Sequence, residues 1–210
     1  KEPSRGSLGR ADWSTVHQIV DQVPPHLPVS VALGELHDAE SASLEQLPDR
    51  VTFAKVGLSM VADDVNWIDR WNSVIRRLPT NTQPVSVAYA DWREAHSVDP
   101  QTILQAARQL GCSIQLLDTF DKQNGRLVDY ASDVNLKQLA AEILASGISL
   151  ALAGSIRIQD VPQLLNHRPD YIAVRGAACR DGRVSELSSV AIDALRQSLC
   201  QSDYQQRSAS

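Results

Sequence analysis

Lys55 lies in Val51-Thr-Phe-Ala-Lys-Val-Gly-Leu58, a short run that is otherwise almost wholly apolar. On a period of two it shares a face with Val51, Phe53 and Gly57. Such neighbours strip water from an ammonium, favour the neutral amine and lower its pKa. A neutral amine at neutral pH is a nucleophile or a base. The competing reading is a lysine at a strand end that snorkels to water. Other polar residues also close apolar runs: Asp91, Asp118, Gly154-Ser155 and Arg175-Gly176. A carboxylate near a neutral amine can move a proton. Glycine turns expose backbone N–H groups that can hold a phosphate, here with Arg175 beside them. Taken singly, Gly154 and Gly176 read equally well as turn glycines without a ligand.

Strands and helices must bring these residues together. Pro28–Leu36, Val51–Leu58, Pro84–Asp91, Cys112–Asp118, Ile148–Leu152 and Asp170–Val174 read as strands. Helical stretches follow them. One is capped by Asp99-Pro100 and closed by Gly111, with Ile103, Leu104, Ala107 and Leu110 on its apolar face. Others open near Asp63-Asp64 and run to Leu78, or span Leu136 to Gly147, Asp160-Pro162 and Ser188–Leu199. A helix over Thr15–Gln22 and a short one near Ser43–Leu47 complete the set. Strict βα alternation predicts a parallel sheet. Polar residues at strand C-terminal ends are the active-site pattern of a (β/α)8 TIM barrel. Six strands are visible where eight are needed. The expectation is a single barrel domain over residues 1–200, truncated at its N-terminus by two strands, with either a gap between two strands or a further N-terminal segment outside the structure. Residues 201–210 read as a polar tail that frays. No GxGxxG follows the first strand, which argues against a dinucleotide fold.

The 210 residues are 43% hydrophobic with a net charge of -5. There is no basic stripe for nucleic acid, no polybasic segment and no apolar run long enough for a membrane. Three widely spaced cysteines suggest no disulfide framework, so a cytoplasmic setting is expected. The five histidines show no metal-ligand spacing. A homo-oligomer stays open.

The blocks KEPSRGSLG, FAKVGL, YADWREAHSVDP, LLDTFDK, ALAGSI and VRGAAC, in that order from Lys1 to about Leu199, resemble the (5-formylfuran-3-yl)methyl phosphate synthases, also called 4-(hydroxymethyl)-2-furancarboxaldehyde-phosphate synthases. The resemblance implies a TIM barrel and a carbon–oxygen lyase acting on phosphates. It implies a reaction in which two glyceraldehyde 3-phosphates join with loss of one phosphate and two waters. The product is a furan precursor of methanofuran and related one-carbon cofactors. It implies the Schiff-base lysine at Lys1, in a motif whose Asp would precede Lys1. It also implies the proton-accepting lysine at Lys55, with Asp118 and Lys122 in support. Alone, Lys122 reads as a solvated loop lysine. Asp91, Gly154, Ser155, Arg175 and Gly176 are the expected substrate and phosphate contacts. No metal or organic cofactor is implied, and the partner is a small triose phosphate. The alternatives are an ordinary Schiff-base aldolase acting on a sugar phosphate, or a non-catalytic phosphate-binding barrel.

Overall fold

The computed structural model describes residues 1–132 and 134–208. Six strands form one parallel sheet in chain order: β1 (Val29–Glu35), β2 (Val51–Gly57), β3 (Gln83–Tyr89), β4 (Ile114–Asp118), β5 (Ser149–Leu152) and β6 (Tyr171–Ile172). The helices are α1 (Trp13–Gln22), α2 (Leu36–Ser41), α3 (Trp67–Ile75), α4 (Pro100–Gln109), α5 (Leu136–Ala145), α6 (Val161–Leu165) and α7 (Ser189–Ser208). The expected strands and the alternation are all present. Asp99 caps α4 as read, its carboxylate accepting the N–H groups of Gln101 and Thr102 at 3.0 Å each. With no Gly or Pro to stop it, α7 continues into the stretch expected to fray. Among the described residues no helix is long and apolar enough to cross a membrane.

Two apolar layers divide the sheet. Helix-facing strand residues such as Val31, Leu33, Ala54, Val56 and Leu117 pack with Trp71, Ile103 and Leu139 in the larger cluster. Ala32, Val85, Val87, Tyr89, Ile114, Leu116 and Ala151 form a second cluster on the other face, joined by Leu8 and Phe53. That second face is concave. Phe53 of β2 and Tyr171 of β6 meet edge to face with ring centroids 6.4 Å apart. Four strand spacings in a flat sheet would separate them by about 19 Å. The sheet therefore curls into a half-barrel. Among the described residues β1 and β6 each pair on one side only.

Two irregularities between β1 and β2 change which side chains face inward. Val29 pairs with Val51, but Ser30 pairs with Phe53, so Thr52 is an extra residue in β2. A bulge of this kind breaks the alternation. Val51, grouped with Lys55 by the period of two, instead packs in the helix-facing layer. Phe53 and Lys55 keep the concave face. Further along, Ala32 pairs with Lys55 and Glu35 with Gly57, so β1 carries an extra residue near Gly34. Gly34 has φ of +95°, a conformation that needs glycine. The same turn starts α2, which the sequence reading placed later, near Ser43–Leu47. There the chain makes only a 3-10 turn over Leu44–Gln46. Asp38 accepts the Glu35 N–H at 3.2 Å and holds α2 against the strand end.

Candidate active site

The C-terminal ends of the strands surround a cavity of 540 Å³. Lys1, Lys55, Asp118, Lys122, Gly154, Ser155, Arg175 and Gly176 all line it. The local causes differ. Lys55 is carried inward by β2, directly beside Ala32 and Val85 in register. Its amine donates to Ser30 Oγ at 2.7 Å. Its pKa is lowered to about 8, chiefly by burial, with the charge of Lys1 adding to the effect and Asp118 opposing it. Lys1 is exposed as a residue, but its amine also faces the cavity and donates to the Ser7 carbonyl at 3.0 Å. Burial lowers its pKa; Asp118 opposes this, and Lys122, Arg183 and Arg175 add to it.

Asp118 ends β4 on the inward parity of Ile114 and Leu116 and is 2% exposed. Its carboxylate accepts the Thr119 N–H at 2.8 Å and the Ser7 hydroxyl at 3.4 Å, and forms an ion pair with Lys122. Lys122 also donates to the Thr119 carbonyl. It is thus tied down rather than solvated. Ser7 donates to the Thr119 carbonyl at 3.0 Å, so the segment after Lys1 is bonded to the end of β4.

Asp91 does not line the cavity. It is buried, and its two oxygens accept the N–H groups of Phe120 and Asp121 at 2.7 and 2.8 Å. Its geometry is that of a brace for the loop carrying Lys122. Arg126 braces the same loop, bonding Asp129 at 2.8 Å and Asp160 at 2.7 Å. Tyr89 donates to Glu35 Oε1 at 2.7 Å, and Glu35 Oε2 accepts the Ser59 N–H at 2.9 Å. Burial, then the Glu35 carboxylate, raises the Tyr89 pKa well above the ordinary phenol value, so it stays a neutral donor.

After β5, Gly154 has φ of +106° and Ser155 of +51°. A Cβ at Gly154 would stand 3.0 Å from Thr119 Cγ2 and 3.1 Å from Leu127 Cβ, so the close approach also needs glycine. Among the described residues, the N–H groups of Gly154, Ser155, Gly176 and Ala177 have no protein acceptor. They offer donors for an anion at the β5 and β6 ends. Arg175 turns partly away, donating from Nε to the Arg183 carbonyl at 3.0 Å and from Nη2 to the Ser185 carbonyl at 3.4 Å.

Arg157 and Arg183 complete the lining, which then holds six cationic side chains (Lys1, Lys55, Lys122, Arg157, Arg175, Arg183) against the single carboxylate of Asp118. Such a field draws dianions and disfavours protonation of its own amines. Ser7, Ser30, Arg157 and Arg183 were not picked out from the sequence. Ser7 lies inside the block that pointed to Lys1, which is the one available signal. Ser30 and Arg183 depend on contacts between distant segments, and Arg157 follows the Ser155 turn by two residues. Among the described residues, no group of three or more His, Cys, Asp or Glu is placed to hold a metal ion.

The low pKa of Lys55 sets a pH dependence. The neutral amine is needed for base or nucleophile chemistry, and it forms as pH rises through about 8. kcat/KM should therefore rise with pH, bend near 8 and level off above it. A limb that keeps climbing beyond pH 10 would show an ordinary, solvated lysine instead.

A model of the family described as 4-HFC-P synthase matches residues 1–196. The (5-formylfuran-3-yl)methyl phosphate synthase of Methanococcus maripaludis strain C6 is 32% identical over 193 residues, 89% of this chain and 82% of that protein. The enzyme of that name from Methanopyrus kandleri is 29% identical over 189 residues, 87% of this chain and 80% of that protein. Its Methanocaldococcus jannaschii counterpart is 31% identical over the same extent, 189 residues, 87% and 80%.

Proposed function

The chain belongs to the 4-HFC-P synthase family, and from that premise we propose that it joins two glyceraldehyde 3-phosphates into (5-formylfuran-3-yl)methyl phosphate, releasing one phosphate and two waters, in methanofuran-type cofactor biosynthesis. This makes it a carbon–oxygen lyase acting on phosphates, at work in the cytoplasm. The observation that carries the reading is one cavity with two lysines of lowered pKa, a buried carboxylate and unpaired backbone donors.

In the proposed sequence Lys1 adds as a neutral amine to the aldehyde carbon of the first triose phosphate and loses water to give an iminium. The iminium withdraws electrons, so the adjacent carbon gives up a proton to Lys55. The resulting enamine attacks the aldehyde carbon of the second triose phosphate. Asp118 and Lys122, already ion-paired, hold and exchange protons as water and phosphate leave. Ring closure to the aromatic furan draws the sequence forward, and release of the product returns the Lys1 amine, so that one phosphate and two waters leave in all. The free N–H groups after β5 and β6 hold a substrate phosphate.

The half-barrel, with β1 and β6 unpaired towards one another, supports a closed (β/α)8 barrel as the complete fold. In it the strands seen here are the third to the eighth, and two further strands fill the gap.

Glyceraldehyde 3-phosphate should yield both inorganic phosphate and a furan chromophore. A simple Schiff-base aldolase gives neither, and a non-catalytic barrel leaves the substrate untouched; either outcome rejects the proposal. Because the iminium supplies the electron sink, treatment with a chelator should leave turnover unchanged. Loss on chelation, restored by one divalent metal, would reject the purely amine-based route.

A further inference from the structure

The condensation proposed above needs two phosphorylated substrates bound at once, and the inference here rests on that reading. The N–H groups after β5 and β6 provide for one phosphate. A second requires a cation that is not already neutralised. Lys1 and Lys55 are engaged in the chemistry, and Lys122 is paired with Asp118. Arg175 has committed Nε and Nη2 to backbone carbonyls. Arg183 differs. Among the described residues its guanidinium meets no carboxylate, and its one hydrogen bond is a long one, from Nη2 to the Gly6 carbonyl at 3.4 Å.

The position of Arg183 is built rather than incidental. It sits in the loop after Cys179, closed by an antiparallel bridge between Cys179 and Leu187. The Arg180 N–H donates to the Glu186 carbonyl at 3.0 Å, and the Asp181 N–H donates to Ser185 Oγ at 2.9 Å. Gly182, with φ of +88°, makes the turn just before Arg183. Arg175 clamps the far side through the carbonyls of 183 and 185. A second cavity, of 610 Å³, adjoins the first across the segment bearing Gly6. Lys122 and Arg183 line both cavities. The second cavity also carries Glu94, Phe120 and Asp121, so a phosphate bound there needs an unpaired cation to offset the two acids.

We infer that Arg183 holds the phosphate of the second triose phosphate, exchanging its weak bond to the Gly6 carbonyl for a charge-assisted, two-pronged contact with the incoming dianion. Arg175 is a positioning residue for it. The second aldehyde is thereby presented beside the enamine on Lys1, whose chain segment Arg183 already touches at Gly6.

The test compares the intact protein with Arg183→Ala and Arg183→Lys. Borohydride trapping against glyceraldehyde 3-phosphate concentration reports the first substrate, and furan formation reports both. In Arg183→Ala, trapping should half-saturate within about twofold of wild type. Half-maximal turnover should need about ten- to a hundredfold more substrate, the loss expected for one charged hydrogen bond. Arg183→Lys should recover part of it. Unchanged turnover dependence overturns the inference, as does a parallel fall in trapping and turnover, which would assign Arg183 to the first substrate or to placing Lys1. Binding of glycerol 3-phosphate, which has no aldehyde to react, gives a separate readout: two sites per chain in wild type and one in Arg183→Ala. Should wild type bind two but form no furan, the catalytic reading fails and the second site stands. Should wild type form furan while both proteins bind alike, the inference alone fails. If Arg183→Ala melts early, Arg183→Lys and Arg183→Gln carry the comparison.

Discussion

Replacing Lys55 by alanine lowers furan formation at least about a hundredfold, the loss expected for a general base, and leaves the protein folded. Lys55 donates to Ser30 and faces the cavity, so truncation opens no hole in the main core. Lys55→Met separates chemistry from folding more sharply. The unfolded chain holds its proton up to the ordinary lysine value of 10.5, and the folded chain releases it near 8. Between these limits the unfolded state binds more protons, so stability rises with pH. Below pH 8 the folded protein carries a charged amine that its surroundings disfavour. Lys55→Met, apolar and of similar length, should therefore be inactive yet melt higher than wild type at pH 7. The advantage should shrink as pH climbs towards 10.5. Activity within a few-fold of wild type in either variant, or a lower melting temperature in Lys55→Met at pH 7, would show that Lys55 is neither the base nor a strained charge.

Borohydride reduction of the intact protein in the presence of a triose phosphate fixes the substrate on Lys1. Both lysines have lowered pKa values, so nucleophilicity alone does not choose between them. Position does. The Lys1 amine is held at the cavity by the Ser7 carbonyl, on a segment bonded to the end of β4 by Ser7. Gly6 follows in that segment with open space where a Cβ would stand, which leaves room for a phosphorylated carbon chain. Lys55 lies on a strand wall among Ala32, Val85 and Phe53, a setting suited to an amine that stays neutral and takes a proton from the bound substrate. Peptide mapping by mass should place most of the adduct on Lys1, and Lys1→Met should abolish trapping. An adduct chiefly on Lys55 or Lys122 would exchange the roles. Label spread evenly over surface lysines would remove the Schiff base altogether.

Local regularities in the chain carried the fold class and most of the cavity. Alternation of short apolar runs with helical stretches is a property of neighbouring residues, so the six parallel strands were legible without a structure. So was the Asp99-Pro100 cap, because a capping carboxylate reaches only two or three residues along its own chain. Residues placed just past a strand inherit the strand's end, and that brought Lys55, Asp118, Gly154, Ser155, Arg175 and Gly176 to one mouth. The motif resemblance added Lys1 and Lys122. Contacts between distant segments followed different rules. The extra residue at Thr52 appears only as a mismatch between β1 and β2, and it sent Val51 to the opposite layer. Asp91 lies two residues past the end of its strand, and its oxygens are occupied by the loop after β4. Ser30 meets Lys55 across a strand pair, and Arg183 reaches Gly6 across 177 positions of chain. A pattern of two or of 3.6 residues says which face a side chain takes on its own element. Which partner waits on that face is settled by pairing register, bulges and the curl of the sheet, and these exist only once the strands have come together.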